Sequence, residues 1–183
     1  MRRIVVSEFV TLDGVIEAPN EWSMSYWNDD IGDFKYEELF AADALLLGRT
    51  TYDGFAAAWP NMVEETGPFG ERMNGIQKYV VTRTLDQAEW TNSAVVRDVD
   101  GVAALDGSLL VGGSSTLIQA LVARDLVDEY RLLVYPVVLG KGKRLFAEGT
   151  GTNLDLVEAR DIGSGVTALR YQRADRPADQ PAE

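Results

Sequence analysis

Short apolar runs alternate along this chain with stretches of helical spacing. RRIVVSEF at 2–9, ALLLG at 44–48, KYVVT at 78–82, AVVR at 94–97 and SLLVG at 108–112 are compact, largely apolar segments bounded by glycine or polar residues. That pattern predicts strands buried on both faces. Between them, DDIGDFKYEELFAAD at 29–43 places Ile31, Phe34, Leu39 and Phe40 on one side of a helix, with its acids elsewhere. Helical spacing returns after Arg49, over Phe69–Ile76, for a turn or two in VDGVAALDG, and again in SSTLIQALVARDL from 114. The segment EYRLLVYPVVL at 129–139 predicts a strand interrupted by proline. LDLVEARDI and VTALRYQR predict an antiparallel pair joined at Gly163–Ser164–Gly165. TLDGVIEAPNEWSMSYW, after the first strand, is expected to be a long polar and aromatic loop. The alternation makes this an α/β chain: a mostly parallel central sheet finished by an antiparallel C-terminal hairpin. One domain is expected over 1–173, followed by a disordered tail, 174–183, rich in proline, alanine and acid.

Two strand ends carry candidate chemistry. The run Leu109–Val111 stops at Gly112 and Gly113, passes Ser114, Ser115 and Thr116, and then takes helical spacing. Glycines let a chain turn and approach another group closely, and hydroxyl residues suit the start of a helix. A strand turning into a helix N-terminus leaves N–H groups unpaired at the positive end of the dipole, which suits a phosphate. The same design recurs in ALLLGRTTYDGF, where Gly48 precedes Arg49, Thr50 and Thr51, and a third strand ends at Thr82–Arg83. In a parallel sheet these ends share the carboxyl edge, where open α/β folds bind ligands. Two helix starts and two arginines suit a ligand with more than one phosphate, such as a dinucleotide. The competing reading is a pair of tight connections with Arg49 and Arg83 paired to surface acids.

Composition narrows the chemistry. The 183 residues contain no histidine and no cysteine, which removes Ser–His and Cys–His nucleophilic machinery and most zinc and iron ligand sets. Acid–base work falls to carboxylates, tyrosine, lysine, water or a cofactor. A net charge of −12 argues against nucleic acid as a partner and for a small molecule met by locally concentrated positive charge. No apolar stretch approaches the roughly 18 residues of a membrane helix. The start MRRIVVSEFV is broken by Ser7 and Glu8, so it predicts a strand and not a signal peptide, and a cytoplasmic location is expected. GSGVTA opens no helix and predicts a hairpin turn; GKGK lacks the spacing of a phosphate-binding loop. The acids Asp29, Asp30, Asp33, Glu37 and Glu38 are explained by a helix dipole without a metal.

FVTLDGVIE, LLLGRTTYDGF, VVTRT, LLVGGSSTLIQAL and YPVVLGKGKRLF, in that order, resemble the dihydrofolate reductase-like superfamily over about residues 3–172. The nearest branch is the C-terminal reductase domain of riboflavin biosynthesis proteins. The resemblance implies a three-layer α/β/α fold, NADPH as cofactor and a homodimer. It implies reduction of a pteridine- or aminopyrimidine-like substrate, most specifically 5-amino-6-(5-phosphoribosylamino)uracil. Alternatives on the same fold are a non-catalytic nucleotide- or ligand-binding protein and a flavin or xenobiotic reductase. By the same resemblance Gly48, Arg49, Thr50 and Thr51 hold cofactor phosphates, and Thr82 and Arg83 approach the adenosine 2′-phosphate. Gly112, Gly113, Ser114, Ser115 and Thr116 cradle the pyrophosphate. Leu12, Asp13 and Gly14 lie beside the nicotinamide, with Asp13 as a catalytic candidate. The other is Asp30, which aligning the Phe34–Lys35 pair brings to the position of the helix carboxylate of folate reductases; a small shift would bring Asp29 or Asp33 there instead. Trp22, Trp27, Phe34, Tyr52 and Tyr135 are candidates to line a flat substrate ring. Lys141 and Lys143 are either substrate-phosphate ligands or surface lysines.

Overall fold

The computed structural model describes residues 1–174. The elements run β1 (Arg3–Thr11), α1 (Pro19–Trp22), a 3-10 turn at Met24–Tyr26, α2 (Asp29–Ala41), β2 (Ala44–Gly48) and α3 (Arg49–Ala58). A second 3-10 turn at Trp59–Asn61 leads to α4 (Val63–Thr66), α5 (Pro68–Gly75), β3 (Gln77–Val81) and β4 (Ser93–Val96). Then come α6 (Val99–Val102), β5 (Ser108–Val111), α7 (Ser115–Ala123), β6 (Glu129–Tyr135), β7 (Leu154–Asp161) and β8 (Thr167–Arg173). The expected loop after β1 thus contains α1 and the first 3-10 turn. Pro136, without an N–H, ends β6 short of the expected residue 139. Ala174 is buried and donates to the Asn153 carbonyl at 3.1 Å, so it belongs to the fold; the rest of the expected tail, 175–183, lies outside the described residues.

The strands form one eight-stranded sheet in the order β4-β3-β2-β5-β1-β6-β8-β7. All pairs through β6 are parallel, and β8 pairs antiparallel with both β6 and β7. Because side chains alternate across a strand, β1 sends Ile4 and Val6 to one face and Val5 to the other. On the first face Val102, Leu117, Ile118 and Leu121 of α6 and α7 pack against Ile4, Val6, Leu46, Leu109 and Val111. On the second face Leu39, Tyr52 and Met73 of α2, α3 and α5 pack against Val5, Leu45, Leu47, Val80 and Leu110. The result is the three-layer α/β/α arrangement of the dihydrofolate reductase-like fold. Lys78 is fully buried in β3, where its ammonium donates to the carbonyls of Asn74, Ile76 and Thr91 at 2.8, 2.8 and 2.9 Å. It also stands 4.1 Å over the Trp90 ring, fixing the strand that leads into Thr82–Arg83. No helix among the described residues is long and apolar enough to cross a membrane.

Candidate functional site

The connections reverse direction at β5 and β1. From β1 the chain crosses to the β2 side, and from β5 it crosses back to β6. This is a topological switch point, the place where open α/β sheets leave a crevice at their carboxyl edge. The pairing of β5 with β1 ends at Val111 and Val6, while β1 continues to Thr11. Beyond that point the flank of β1 meets the Gly112–Ser114 loop.

The two glycine turns touch here. The Gly48 N–H donates to the Gly113 carbonyl at 3.2 Å. Gly48 has an ordinary extended backbone (φ −74°, ψ 159°), so glycine is required there for proximity alone. Gly113 is at φ +100°, a conformation that favours glycine, and a Cβ on it would stand 2.8 Å from Thr51 Oγ1. The Gly113–Ser114 peptide is cis. No side chain caps α3, and the Ser114 hydroxyl caps α7 only through a 3.4 Å contact from the Leu117 N–H. The amides at Thr50, Thr51, Ser115 and Thr116 therefore stand at helix starts suited to an anion. Nothing lies within 4 Å of where a Gly112 side chain would begin. Arg49 Nε donates to Asp53 at 2.7 Å in a partly exposed pair, of the kind that contributes little to stability. Arg83 is exposed next to buried Thr82, whose hydroxyl accepts from the Thr84 N–H at 3.2 Å.

Two expected catalytic acids have other duties. The Asp13 carboxylate accepts from the Thr11 hydroxyl at 2.6 Å, the Gly140 N–H at 2.8 Å and the Leu139 N–H at 3.2 Å. Led by Thr11, these bonds hold its pKa down to about 2. Asp13, the catalytic candidate of this loop, is held as an acceptor that ties the β1 loop to residues 139–140. Leu12 is exposed at the tip of that loop, and Gly14 turns it at φ +85°. Asp30 is exposed in the first turn of α2, whose sheet-facing residues include Ile31, Glu38 and Leu39. Asp30 serves the helix dipole, and apolar Ile31 is the first-turn residue that enters the core.

The ring-lining candidates also divide. Tyr52 is buried among the residues packed on β2 and β3, and its hydroxyl accepts from the Trp90 N–H at 2.9 Å; it is a core residue, not a wall of the crevice. Tyr135 is fully buried and surrounded by Phe9, Trp22 and Tyr26, with ring centroids at 5.4, 5.3 and 5.7 Å. Burial pushes its phenol up to about 12, against the pull of the neighbouring Ser23 hydroxyl. Phe34 packs partly buried against the same group, while Trp27 remains exposed beside Gly32. Lys141 and Lys143 are exposed on the loop after β6.

A polar cluster that sequence reasoning passed over lies in the middle of this region. Ser7, Glu8 and Glu38 are buried, and Lys35 is largely so. Lys35 Nζ donates to Ser7 Oγ at 2.6 Å and pairs with Glu38 Oε2 at 2.7 Å; the Ser7 hydroxyl donates to the same Glu38 oxygen at 2.7 Å. Glu8 Oε1 and Glu38 Oε1 are buried without a hydrogen-bond partner. Glu8 Oε1 stands 3.8 Å from the place a Gly113 side chain would begin, at the turn between β5 and α7. Burial pushes the Glu8 carboxyl up from 4.5 to about 8, eased by Lys35 and reinforced by Glu38. The signal for this cluster was the pair Ser7–Glu8 interrupting an apolar strand.

The Glu8 shift makes a stability prediction. Above pH 4.5 the unfolded chain releases this proton and the folded chain keeps it, so stability falls as pH rises, until about pH 8. The slope is at most about 1.4 kcal/mol per pH unit. Denaturant titrations are expected to show roughly 3 kcal/mol lost between about pH 4.5 and pH 7 and Glu8→Gln to remove that loss. An unchanged slope in the variant would assign it to another group.

The pattern of the RibD C-terminal domain matches residues 2–168. The uncharacterized protein YyaP of Bacillus subtilis (strain 168) is 32% identical over 182 residues, covering 93% of this chain and 94% of its own. Among solved structures, a putative riboflavin biosynthesis protein from Shewanella sp. PV-4 superposes with a TM-score of 0.72 at 21% identity, covering 94% of this chain and 99% of its own. Dihydrofolate reductase from Enterococcus faecalis, complexed with NADP(H) and RAB-propyl, gives 0.61 at 17% identity, covering 94% and 97%. With its sheet order, its paired glycine turns and a match over nearly its whole described length, this chain belongs to the RibD C-terminal domain family.

Proposed function

We propose that this protein is an NADPH-dependent reductase acting on a C=N or C=O bond of a small heterocycle. The observation that carries the reading is the contact of two glycine turns at the switch point, Gly48 N–H on Gly113 C=O, each turn opening a helix. The donor set fits a dinucleotide: helix-start amides for the pyrophosphate, Arg49 and Arg83 for a further phosphate, and open space over Gly112. NADPH, when bound, supplies the hydride. The chain's own residues bind and orient it, and Phe9, Trp22, Tyr26 and Phe34 form the apolar wall on the substrate side. The nearest specific substrate is 5-amino-6-(5-phosphoribosylamino)uracil. The same reading takes the protein to be a cytoplasmic homodimer.

Calorimetric titration with NADPH and with NADH tests the cofactor. Low-micromolar NADPH binding with clearly weaker NADH is expected. A 2′-phosphate adds a charge that NADH lacks, and an arginine bonded to a phosphate contributes about 1.5–3 kcal/mol. Arg83→Ala is therefore expected to weaken NADPH roughly tenfold or more and leave NADH within about twofold. Equal losses for both would remove Arg83 from the 2′-phosphate. NADPH binding without oxidation across pterin and aminopyrimidine probes would favour a non-catalytic binding protein.

A further inference from the structure

We propose that Glu8 is the proton donor of the reduction, a buried carboxylic acid whose unpartnered oxygen lies beside the Gly112–Ser114 turn. The proposal rests on the reductase reading and adds the group that reading lacks. Three observations lead to it. Asp13 and Asp30, the acids first suspected, are respectively bound up as an acceptor and turned to solvent. Glu8 is 8% exposed, and its Oε1 is buried without a partner. That oxygen also lies at the turn of the candidate dinucleotide loop, 3.8 Å from where a Gly113 side chain would begin.

The surrounding groups give the acid both of its states. Lys35 and Glu38 of α2, which packs on the neighbouring Ser7 side of β1, are the charged groups acting on Glu8. Glu38 is joined to Lys35 and Ser7 through one oxygen, and its second oxygen is also unpartnered. Burial and the Glu38 charge keep the proton on Glu8 near neutral pH, and the Lys35 ammonium favours the carboxylate left behind. In the reduction of a C=N bond, hydride from the dihydronicotinamide goes to carbon. The Glu8 O–H bond breaks as an N–H bond forms on the substrate. The cofactor is oxidised by two electrons, and Glu8 recovers its proton from water.

The test has a readout independent of turnover. Protein carrying 13C at the glutamate side-chain carboxyls is titrated by NMR from pH 4 to 9.5, as wild type, Glu8→Gln and Lys35→Met. A carboxyl resonance with its inflection near 8, absent from Glu8→Gln and moved upward in Lys35→Met, is expected. An inflection between 4 and 5 overturns the proposal. NADPH oxidation is then followed with 5-amino-6-(5-phosphoribosylamino)uracil and with 7,8-dihydropterin. Glu8→Gln is expected to lower kcat about 100-fold or more, with Glu8→Asp recovering part of it. Wild-type kcat is expected to fall above about pH 8, and the residual rate of Glu8→Gln to lack that fall. Turnover within about threefold of wild type, with the pH profile retained, overturns the proposal and leaves the reductase reading standing. No NADPH binding in wild type, or no oxidation with either probe, overturns both.

Discussion

Gly48→Val is expected to weaken NADPH binding about 100-fold or more while the protein stays folded. A Cβ at Gly48 would stand 2.3 Å from Ser114 Oγ and 3.1 Å from both Ser114 Cβ and its backbone nitrogen. The hydroxyl can rotate away, at the cost of its contact with the Leu117 N–H. The backbone nitrogen and Cβ cannot, so the two helix starts must separate. They form one anion seat only while Gly48 N–H holds Gly113 C=O, and a displacement near 1 Å at such a seat costs on the order of 100-fold. Overpacking of this kind costs roughly 1–3 kcal/mol, a tolerable loss for a domain of this size. Gly54→Ala is the control. It lies in α3 with nothing within 4 Å of a new Cβ, and replacing a helical glycine stabilises by about 0.5–1 kcal/mol. Calorimetry and thermal melts on both variants check the pair. Unchanged NADPH affinity in Gly48→Val would mean that the contact between the turns is not the cofactor seat.

The two glycine turns were legible because their physics is local. An apolar run short enough to be a buried strand, a glycine and a hydroxyl at a helix start each leave a mark within a few residues, in ALLLGRTT and in LLVGGSST. The C-terminal hairpin was legible for the same reason, since Gly163, Ser164 and Gly165 all take positive φ. The phase of α2 was not. A reading that turns apolar residues inward places Phe40 in the core and every acid in solvent. Instead Phe40 is 42% exposed and stacks on exposed Tyr36 at 4.1 Å, while Glu38 is 3% exposed. Helix α2 can bury a carboxylate because Lys35 on its own surface and Ser7 on β1 meet it. That compensation comes from a residue 31 positions away, which no helical periodicity can reveal. The alignment on Phe34–Lys35 takes Asp30, which is exposed, one residue before Ile31, which turns into the core. Tyr52 failed differently: it follows a genuine loop motif, but its ring has turned back into the core.

At the opposite end of the strands from the crevice, Glu129→Ala is expected to cost about 3–5 kcal/mol without weakening NADPH binding. Glu129 is fully buried at the start of β6 and bonded to Arg3 and Arg131, with Arg170 Nε 3.4 Å away. Removing the carboxylate leaves three guanidinium groups from three strands gathered without a counter-charge, and a melting temperature lower by roughly 10 °C is expected. Burial works to raise the Glu129 carboxyl, but the hydrogen bond and charge of Arg131, followed by Arg3 and Arg170, outweigh it and bring it below 4.5. For an acid held low in the folded state, the stabilisation is present above its ordinary value and is lost as pH falls through the folded one. Glu8 has the opposite sign and loses stabilisation as pH rises. The two buried carboxylates therefore act on opposite sides of about pH 4.5, Glu129 on the acid limb, where the lowered Asp13 acts too, and Glu8 on the neutral one. Denaturant titrations across pH 3–8 separate them: Glu129→Gln should flatten only the acid limb and Glu8→Gln only the other. A Glu129→Gln variant that keeps the wild-type acid limb would show that other carboxylates control acid unfolding.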